Sequence, residues 1–311
     1  MTNALRHFTD LSILTPAIAR ALIDYAKILK ASFKAGKGSK PFIGKTLAMI
    51  FEKPSTRTRI SFDISMRQLG GDTIMLTGSE MQLGHSETIA DTARVLSRFV
   101  DIVILRTTKH QRMLELAQYA QIPVINALTD DTHPCQILAD ILTYEEHRGP
   151  ISGKIFAWMG DGNNVLHSLI EAAALFDFHL RIATPKGSEP QEKFIHWARE
   201  RGAYLTLTHN PQKAAQDADC IMTDTWVSMG QEFRARSRST FQPYQVNESL
   251  MKLAKSDALF MHCLPAHRGE EVVDSVIDGP HSVVFDEAEN RLHVQKAILS
   301  WCLQDAFFSP Q

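Results

Sequence analysis

Residues 55–59 read Ser-Thr-Arg-Thr-Arg and bring hydroxyl and guanidinium groups together in one short polar turn. The apolar run at 46–51 predicts a buried strand before the turn, and apolar residues at helical spacing from Ile60 to Leu69 predict a helix after it. The turn therefore lies at a helix N-terminus, where unpaired backbone N–H groups and the helix dipole favour an anion. Hydroxyls, amides and arginines in this arrangement predict a cradle for a phosphate group.

An ordinary helix start offers an alternative interpretation of the same turn. Serine and threonine are common helix caps, so a lone Ser55-Thr56 pair would indicate only a capped helix with solvated arginines nearby. The residues of the turn alone leave both interpretations open. Polar groups at the ends of other predicted strands bear on the choice.

Two further candidate groups follow predicted strands in the first half of the chain. Arg106 ends a strand predicted over 101–105, and open α/β sheets bind ligands at the carboxyl ends of their strands. His133 and Gln136 follow a strand predicted over 122–126, within the sequence His-Pro-Cys-Gln. His133 can donate to a carbonyl oxygen, and Gln136 can pair with an amide. Taken singly, Arg106 also fits a surface arginine and His133 a turn residue.

A glycine-rich turn at 160–165, Gly-Asp-Gly-Asn-Asn-Val, follows a strand predicted over 154–159. It resembles a dinucleotide-binding fingerprint, but Val165 replaces the third glycine, and the next strand, 180–184, ends without an acidic ribose ligand. These positions predict a Rossmann-like turn without a nicotinamide site. The asparagines of the turn, including Asn164, suit recognition of an amino-acid headgroup because an amide both donates and accepts.

Asp224 follows a strand predicted over 220–223, and a polar segment that contains Ser228 and Met229 comes next. An acidic residue at a strand end, followed by a polar loop, is typical of a site that closes over its substrate. Met229 also fits a core filler, since methionine packs well into irregular apolar space.

The strand predicted over 258–261 leads into the sequence His-Cys-Leu-Pro at 262–265. A metal site is one interpretation, because His262, Cys263 and His267 are close in sequence. The chain offers no second Cys/His cluster with ligand spacing, which argues against zinc. A cysteine at the carboxyl end of a strand, beside polar groups, also fits a thiol that contacts the substrate.

Strands alternate with helical segments along the chain, which predicts an α/β fold with two doubly wound parallel-sheet domains, the second Rossmann-like, linked by helices. A chain of 311 residues suits two domains at roughly 100–200 residues each. We expect the domains to span residues 1–149 and 150–287. A last strand is expected at 282–286, and a C-terminal helix over 288–306 is expected to pack back on the first domain.

Composition fits an ordinary globular protein, with 44% hydrophobic and 22% charged residues. A formal net charge of −2 provides no general basic field for nucleic acid. The four cysteines are far apart and form no C-x-x-C pair, which indicates reduced thiols. The N-terminus lacks the apolar core of a signal peptide, and no apolar run approaches the ~18 residues of a membrane span. We therefore expect a cytoplasmic protein that binds neither nucleic acid nor membrane.

Five motifs together carry a specific resemblance. They are Ser-Thr-Arg-Thr-Arg at 55–59, His-Pro-Cys-Gln at 133–136, Asp-x-x-x-Ser-Met-Gly at 224–230, His-Cys-Leu-Pro at 262–265 and Glu-Asn-Arg at 289–291. In order and spacing they resemble the aspartate/ornithine carbamoyltransferase family, and the third and fourth are similar to those of its ornithine-specific members. The resemblance covers essentially the whole chain. It implies attack of the δ-amino group of L-ornithine on carbamoyl phosphate, giving citrulline and phosphate.

The resemblance also implies a role for each candidate residue. The phosphate of carbamoyl phosphate would be held by Ser55, Thr56, Arg57, Thr58, Arg106 and, from a neighbouring subunit, Gln82. Arg291 would complete the carbamoyl-phosphate side of the site. The carbonyl oxygen would face Arg57, Arg106 and His133, and the carbamoyl amide would face Gln136 and the Leu264 carbonyl. Ornithine would be held by Asn164, Asp224, Ser228 and Met229, with Cys263 near its δ-nitrogen and the carbamoyl group. The implied catalytic set is Arg57, Arg106, His133, Asp224 and Cys263.

The resemblance assigns carbamoyl phosphate to the first domain and ornithine to the second, in a homotrimer with sites at subunit interfaces. The implied step belongs to arginine biosynthesis or a urea-cycle-type sequence. No metal or redox cofactor is expected, because carbamoyl phosphate already contains a good leaving group. The alternatives are a related transcarbamoylase acting on putrescine, acetylornithine or aspartate, a nicotinamide oxidoreductase using 160–165, and a nucleic-acid binder using 53–59.

Overall fold

The structure is a computed structural model, and it describes residues 5–77, 87–226, 238–303 and 306–308. The chain divides into two units, the first made of Met1–Leu142 and Asn290–Gln311 and the second of Thr143–Glu289. Within the described ranges, none of the helices combines the length and the apolar character needed to cross a membrane.

The first unit contains a four-stranded, fully parallel sheet with the strand order β2-β1-β3-β4. Its strands are β1 (Thr46–Phe51), β2 (Asp72–Thr77), β3 (Ile102–Arg106) and β4 (Val124–Leu128). Its helices are α1 (Pro16–Lys34), α2 (Thr56–Gln68), α3 (Ile89–Phe99) and α4 (His110–Tyr119), with a 3₁₀ turn at Leu11–Ile13. Helix α5 (Pro134–Arg148) follows β4 and continues into the second unit.

The centre of this sheet explains where a ligand can bind. Strand β1 is apolar from Leu47 to Phe51 because both of its faces are covered, and residues 47–50 are each at most 1% exposed. The chain leaves β1 for β2 on one side and places β3 on the other side, so the strand order reverses between β1 and β3. Such a switch point opens a crevice at the carboxyl ends of the two strands, next to Phe51 and Arg106.

The second unit contains a five-stranded parallel sheet with the order β7-β6-β5-β8-β9. Its strands are β5 (Ile155–Met159), β6 (His179–Ala183), β7 (Leu205–Thr208), β8 (Cys220–Thr223) and β9 (Leu259–His262). Its helices are α6 (Asn164–Phe176), α7 (Glu192–Glu200), α8 (Pro211–Ala215), α9 (Arg238–Phe241), α10 (Glu248–Met251) and α11 (Asp274–Ile277). Helix α12 (Val284–Cys302) begins here and ends in the first unit. A 3₁₀ turn lies at Gln242–Tyr244, and the one at Ala306–Phe308 belongs to the first unit.

The order of the second sheet reverses between β5 and β8, where Met159 pairs with Thr223. Residues after these two strands therefore meet at one crevice, as they do in Rossmann-type sheets. Both units have a parallel sheet with helices between successive strands. The predicted fold of two doubly wound parallel sheets is confirmed.

The strand expected at 282–286 is wrong. Helix α12 already begins at Val284, and Ser282 makes only an isolated bridge to Phe260. The Val-Val-Phe run at 283–285 has strong local β propensity, but tertiary context decides the conformation of such a short segment. The helical start places the Glu287 carboxylate where it accepts a hydrogen bond of 3.0 Å from the backbone N–H of His262.

Candidate active site

The predicted phosphate cradle follows β1 at the N-terminus of α2. Ser55 is the N-cap residue of α2 and has an extended backbone. Within the described part of the chain its side chain makes no capping hydrogen bond, whereas Thr15 caps α1 by accepting from the Ile18 N–H at 3.3 Å. The Ser55 hydroxyl is therefore not committed to holding the helix start. This favours the cradle over the simple capped helix.

Thr58 brings two buried arginines together. Arg106 Nη1 donates to Thr58 Oγ1 over 3.4 Å, and Arg291 Nη2 donates to the same oxygen over 2.6 Å. The two arginines are 6% and 4% exposed. Two guanidinium charges so close to each other and so far from water are costly unless an anion offsets them. The arrangement suits a ligand with several negatively charged oxygens.

His133 lies directly before α5 and is 4% exposed. Burial holds the pKa of its imidazole well below the ordinary value of 6.5. The positive charges of Arg291, Arg106 and Arg57 lower this pKa further. The imidazole is therefore neutral at pH 7, and its single N–H can donate to a carbonyl oxygen without adding another positive charge.

The side-chain amide of Gln136 is held from two sides. Arg291 Nη1 donates to its Oε1 over 2.7 Å, and its Nε2 donates to Asp140 Oδ1 over 2.8 Å. Asp140 was not among the residues predicted from the sequence, although residues four apart on α5 share one helix face. The contact between Gln136 and a carbamoyl amide stays a prediction.

A cleft of about 720 Å³ opens beside the cradle at the carboxyl ends of β1 and β2. Residues 51–56 line it, together with Arg59 and Ile60 of α2 and Met75 and Thr77 of β2. The cleft therefore gives Ser55 and Thr56 of the cradle access to a small molecule. Gln82, the remaining predicted phosphate contact, lies outside the described residues.

In the second unit, Asp224 and Cys263 come together at the carboxyl ends of β8 and β9. Cys263 Sγ donates to Asp224 Oδ1 over 3.2 Å. Asp224 also accepts from Asn163 Nδ2 at 2.7 Å and from the Thr225 backbone N–H at 2.8 Å. The carboxylate is thus fixed in orientation, which suits a group that contacts a cationic amine.

The two asparagines of the glycine-rich turn do different things. Asn163 caps α6, because its Oδ1 accepts from the N–H groups of Val165 and Leu166 at 3.0 and 3.1 Å. Its Nδ2 donates to Asp224. This role was not predicted from the sequence, although a capping residue beside a strand end could have indicated it. Asn164 is the first, half-buried residue of α6. Of the two asparagines, Asn164 is therefore the one that we expect to contact the amino-acid headgroup.

His262 organises the turn that carries Cys263 and Leu264. Its Nδ1 accepts from the Leu264 N–H at 2.9 Å, and its Nε2 lies 3.1 Å from Glu271 Oε1, with both side chains fully buried. Leu264 has a φ of 54°, which directs the chain sharply out of β9. Asp224, His262 and Cys263 offer ligand atoms within 4.8 Å of one another. Both ring nitrogens of His262 are engaged, which argues against zinc coordination there.

Ser228 and Met229, the other predicted ornithine contacts, lie outside the described residues. Of the predicted carbamoyl-phosphate contacts, Cys263 and Leu264 belong to the second unit, and Arg291 belongs to the first. The first unit thus collects the cationic groups that suit an anion. The second collects a carboxylate, a thiol and amides, which suit an amino acid.

Family models match both halves of the chain. Residues 6–146 match the model described as aspartate/ornithine carbamoyltransferase, carbamoyl-P binding domain. Residues 152–302 match the model described as aspartate/ornithine carbamoyltransferase, Asp/Orn binding domain. The two matched ranges together cover most of the chain.

Similar proteins extend the match over nearly the whole length. The ornithine carbamoyltransferase of Brucella ovis is 71% identical over 303 residues, which cover 97% of this chain and 97% of that protein. The ornithine carbamoyltransferase of Mesorhizobium japonicum is 66% identical and covers 96% of this chain and 99% of its own.

Solved structures agree with the sequence relatives. The ornithine carbamoyltransferase of Pyrococcus furiosus has a TM-score of 0.92 at 52% identity, with 96% of each chain covered. The anabolic ornithine carbamoyltransferase of Campylobacter jejuni has a TM-score of 0.90 at 38% identity, with 96% of this chain and 99% of that chain covered. From the matched domains, the identity and the fold, the chain belongs to the aspartate/ornithine carbamoyltransferase family.

Proposed function

We propose that this protein transfers the carbamoyl group of carbamoyl phosphate to the δ-amino group of L-ornithine, giving L-citrulline and phosphate. The observation that carries the proposal is the convergence of two buried guanidinium groups, those of Arg106 and Arg291, on Thr58 Oγ1. Such a pair suits a doubly charged phosphoryl group. The similar proteins described above are ornithine carbamoyltransferases, which supports ornithine as the acceptor.

Carbamoyl phosphate binds, in this proposal, to the first unit. The hydroxyls of Ser55, Thr56 and Thr58 and the backbone amides at the start of α2 donate to the phosphoryl oxygens. Arg57 and Arg106 add bidentate, charge-assisted contacts. Arg291 supports the same group through Thr58, and Gln82 reaches it from a neighbouring subunit.

Negative charge grows on the carbonyl oxygen when the amine adds to the carbonyl carbon. The N–H of neutral His133 and the guanidinium groups of Arg57 and Arg106 offset that charge. A neutral imidazole is useful here because it donates a hydrogen bond without raising the positive charge that already surrounds the cradle. Gln136 and the Leu264 carbonyl orient the carbamoyl amide.

Ornithine binds to the second unit through Asn164, Asp224, Ser228 and Met229. Its δ-amino group is protonated in water at neutral pH, because the comparable lysine side chain has a pKa of about 10.4. Only the neutral amine is a nucleophile, so the reaction should accelerate as pH rises. Asp224 orients the cationic amino acid, and Cys263 positions the δ-nitrogen.

The bonds of the reaction balance without a cofactor. The amine nitrogen forms a bond to the carbonyl carbon and gives up one proton, which the departing phosphate accepts. The bond between that carbon and the phosphate oxygen breaks, and phosphate leaves with the electron pair. Binding both reactants in one orientation supplies much of the acceleration, because the amine then attacks as if in the same molecule.

A citrulline assay tests the proposed acceptor. The protein is incubated with carbamoyl phosphate and with ornithine, acetylornithine, putrescine or aspartate in parallel, and the carbamoylated products and phosphate are measured. We expect efficient turnover with ornithine and at least roughly 10²-fold lower kcat/KM with the others, since a site built for specific polar groups rejects substrates that lack them. Efficient turnover of one of the other three would instead identify a related transcarbamoylase.

We also propose that the protein is a cytoplasmic homotrimer that acts in arginine biosynthesis. Exposed isoleucines on the edge strand β2 and on α2, Ile74 at 48% and Ile60 at 56%, support an interface on this face of the first unit. The four free cysteines suit a reducing compartment. Sedimentation equilibrium should give three times the 34.9 kDa chain mass, and a monomer mass would refute the trimer.

A further inference from the structure

A buried chain of polar side chains continues behind the cradle, from Thr58 through Arg291 and Gln136 to Asp140. Its three hydrogen bonds measure 2.6, 2.7 and 2.8 Å in that order. All four residues are at most 4% exposed. The first three have roles in the proposed reaction, whereas Asp140 has none so far.

The two ends of this chain fix the orientation of the Gln136 amide. A guanidinium group can only donate hydrogen bonds, so Arg291 must face the amide oxygen. An ionised carboxylate can only accept, so Asp140 must face the amide nitrogen. A flipped amide would set donor against donor at Arg291 and acceptor against acceptor at Asp140. Asp140 therefore selects the orientation that Arg291 needs.

Charge makes this selection stronger than a neutral contact would. A hydrogen bond to an ionised carboxylate is roughly twice as strong as one between neutral groups. It also polarises the Gln136 amide, which makes Oε1 a better acceptor for Arg291.

We propose that Asp140 is a positioning residue for carbamoyl phosphate: it fixes the Gln136 amide, and through it aims the Arg291 guanidinium at Thr58 and the phosphoryl group. This inference rests on the proposed function for the identity of the substrate. The expected effect of Asp140 on the binding of a phosphate group does not depend on that function. Asp140 itself touches neither substrate in this proposal.

Exchanging the two polar groups tests the proposal. In Gln136→Glu a second carboxylate is placed about 3 Å from Asp140, and the two like charges repel. Adding Asp140→Asn to that variant moves the single carboxylate from position 140 to position 136, where it accepts from both Arg291 and the new asparagine. Asp140→Asn alone preserves an acceptor oxygen but removes the charge. Asp10→Asn is the matched control, because Asp10 is buried in the same unit and accepts from the Leu11 N–H at 2.9 Å.

Two readouts are measured for each variant: KM for carbamoyl phosphate and the Kd of inorganic phosphate by calorimetry. We expect Asp140→Asn to raise both about tenfold, corresponding to the loss of one charge-assisted contact. Gln136→Glu should raise them by roughly 10²-fold, and the double variant should recover at least tenfold of that loss. Asp10→Asn should change the unfolding midpoint and neither constant.

Additive effects in the double variant would overturn the positioning role, as would a lower unfolding midpoint of Asp140→Asn with unchanged KM and Kd. The two proposals fail in different ways. If the wild type made no citrulline but the phosphate constants followed the expected order, the proposed function would be wrong and the positioning role would stand. Normal citrulline synthesis with unchanged constants in Asp140→Asn would leave the function intact and refute the positioning role.

Discussion

Cys263 donates its S–H to Oδ1 of Asp224 across 3.2 Å. The carboxylate of Asp224 is meanwhile fixed by Asn163 and by the Thr225 backbone N–H. A thiol that is held as a donor by a fixed carboxylate is arranged to position a neighbouring amine. It is not arranged as a free nucleophile, since its S–H is directed at the carboxylate.

Cys263→Ser should therefore weaken ornithine binding and shift the pH–rate profile while leaving substantial turnover. A hydroxyl still donates to Asp224, but it is smaller and less polarisable than a thiol. Steady-state kinetics between about pH 6 and pH 10 measure the change, because the profile reports the ionisation of groups that take part. Mass spectrometry of the wild type with carbamoyl phosphate alone is the decisive comparison. A stoichiometric carbamoyl adduct on Cys263, missing from the variant, would establish a covalent mechanism instead.

Arg57→Ala should lower kcat by roughly 10²-fold or more, because a guanidinium that meets charge in the transition state contributes several kcal/mol. The fold should survive, since Arg57 is half-buried at the start of α2 and its proposed partner is a substrate. Arg94→Ala is the control, because Arg94 is exposed and pairs with Asp91 at 2.9 Å. Turnover within threefold of the wild type in Arg57→Ala would remove this residue from the cradle.

His133 should make the protein less stable as pH falls below about 6.5. Burial and the charges of the neighbouring arginines lower its pKa in the folded state, so the unfolded chain binds a proton first. Unfolding is then favoured from about pH 6.5 down to the lower folded-state pKa, with a slope of up to about 1.4 kcal/mol per pH unit.

Urea unfolding of the wild type and of His133→Gln at several pH values measures this slope. The pKa of His7 is also lowered by burial, but His7 is present in both proteins and its contribution cancels. As pH falls, the free energy of unfolding of the wild type should decrease more than that of His133→Gln. A difference that stays constant between about pH 7.5 and pH 5 would contradict the neutral, buried imidazole.

Gly162→Ala should destabilise the second unit by about 1–3 kcal/mol, because the added methyl group would overpack the turn. Its Cβ would lie 2.4 Å from the backbone of Glu189 and Pro190 and 2.5 Å from the Ser188 carbonyl oxygen. Any relief must move Asn163 next to it, so KM for ornithine should also rise. In the control Gly38→Ala the Cβ would meet only the Phe33 ring at 3.8 Å. Equal free energies of unfolding of the two variants would show that the turn accommodates the methyl group without loss of stability.

The sequence predicted strands where an apolar run ends in polar residues. The bounds of β1 agree with the prediction to the residue, because Glu52 breaks the apolar pattern sharply. The run at 283–285 has equally strong local preference, yet it starts α12. Local sequence does not distinguish the two cases. The helical start is accompanied by a hydrogen bond from the His262 N–H to Glu287, which joins distant parts of the chain.

The same distinction applies to the candidate site. Residues that carry charge at strand ends, such as Arg106 and Asp224, were recognisable as candidates from their types and places. Residues that act on other side chains were not. Asp140 and Asn163 look in sequence like a helix-face acid and a cap, and only the packed structure shows that each orients a second polar group.

Because the other three cysteines are buried, Cys263 can be labelled selectively by a chemical reagent. Cys135, Cys220 and Cys302 are at most 1% exposed, and burial raises the pKa of Cys135 to about 12. Cys263 is the partly exposed one of the four cysteines in the chain. A fluorescent alkylating reagent applied to the native protein should therefore modify Cys263 alone, without removal of the other cysteines by mutation. The rate of that alkylation, followed by fluorescence, then reports whether ornithine occupies the place beside Asp224.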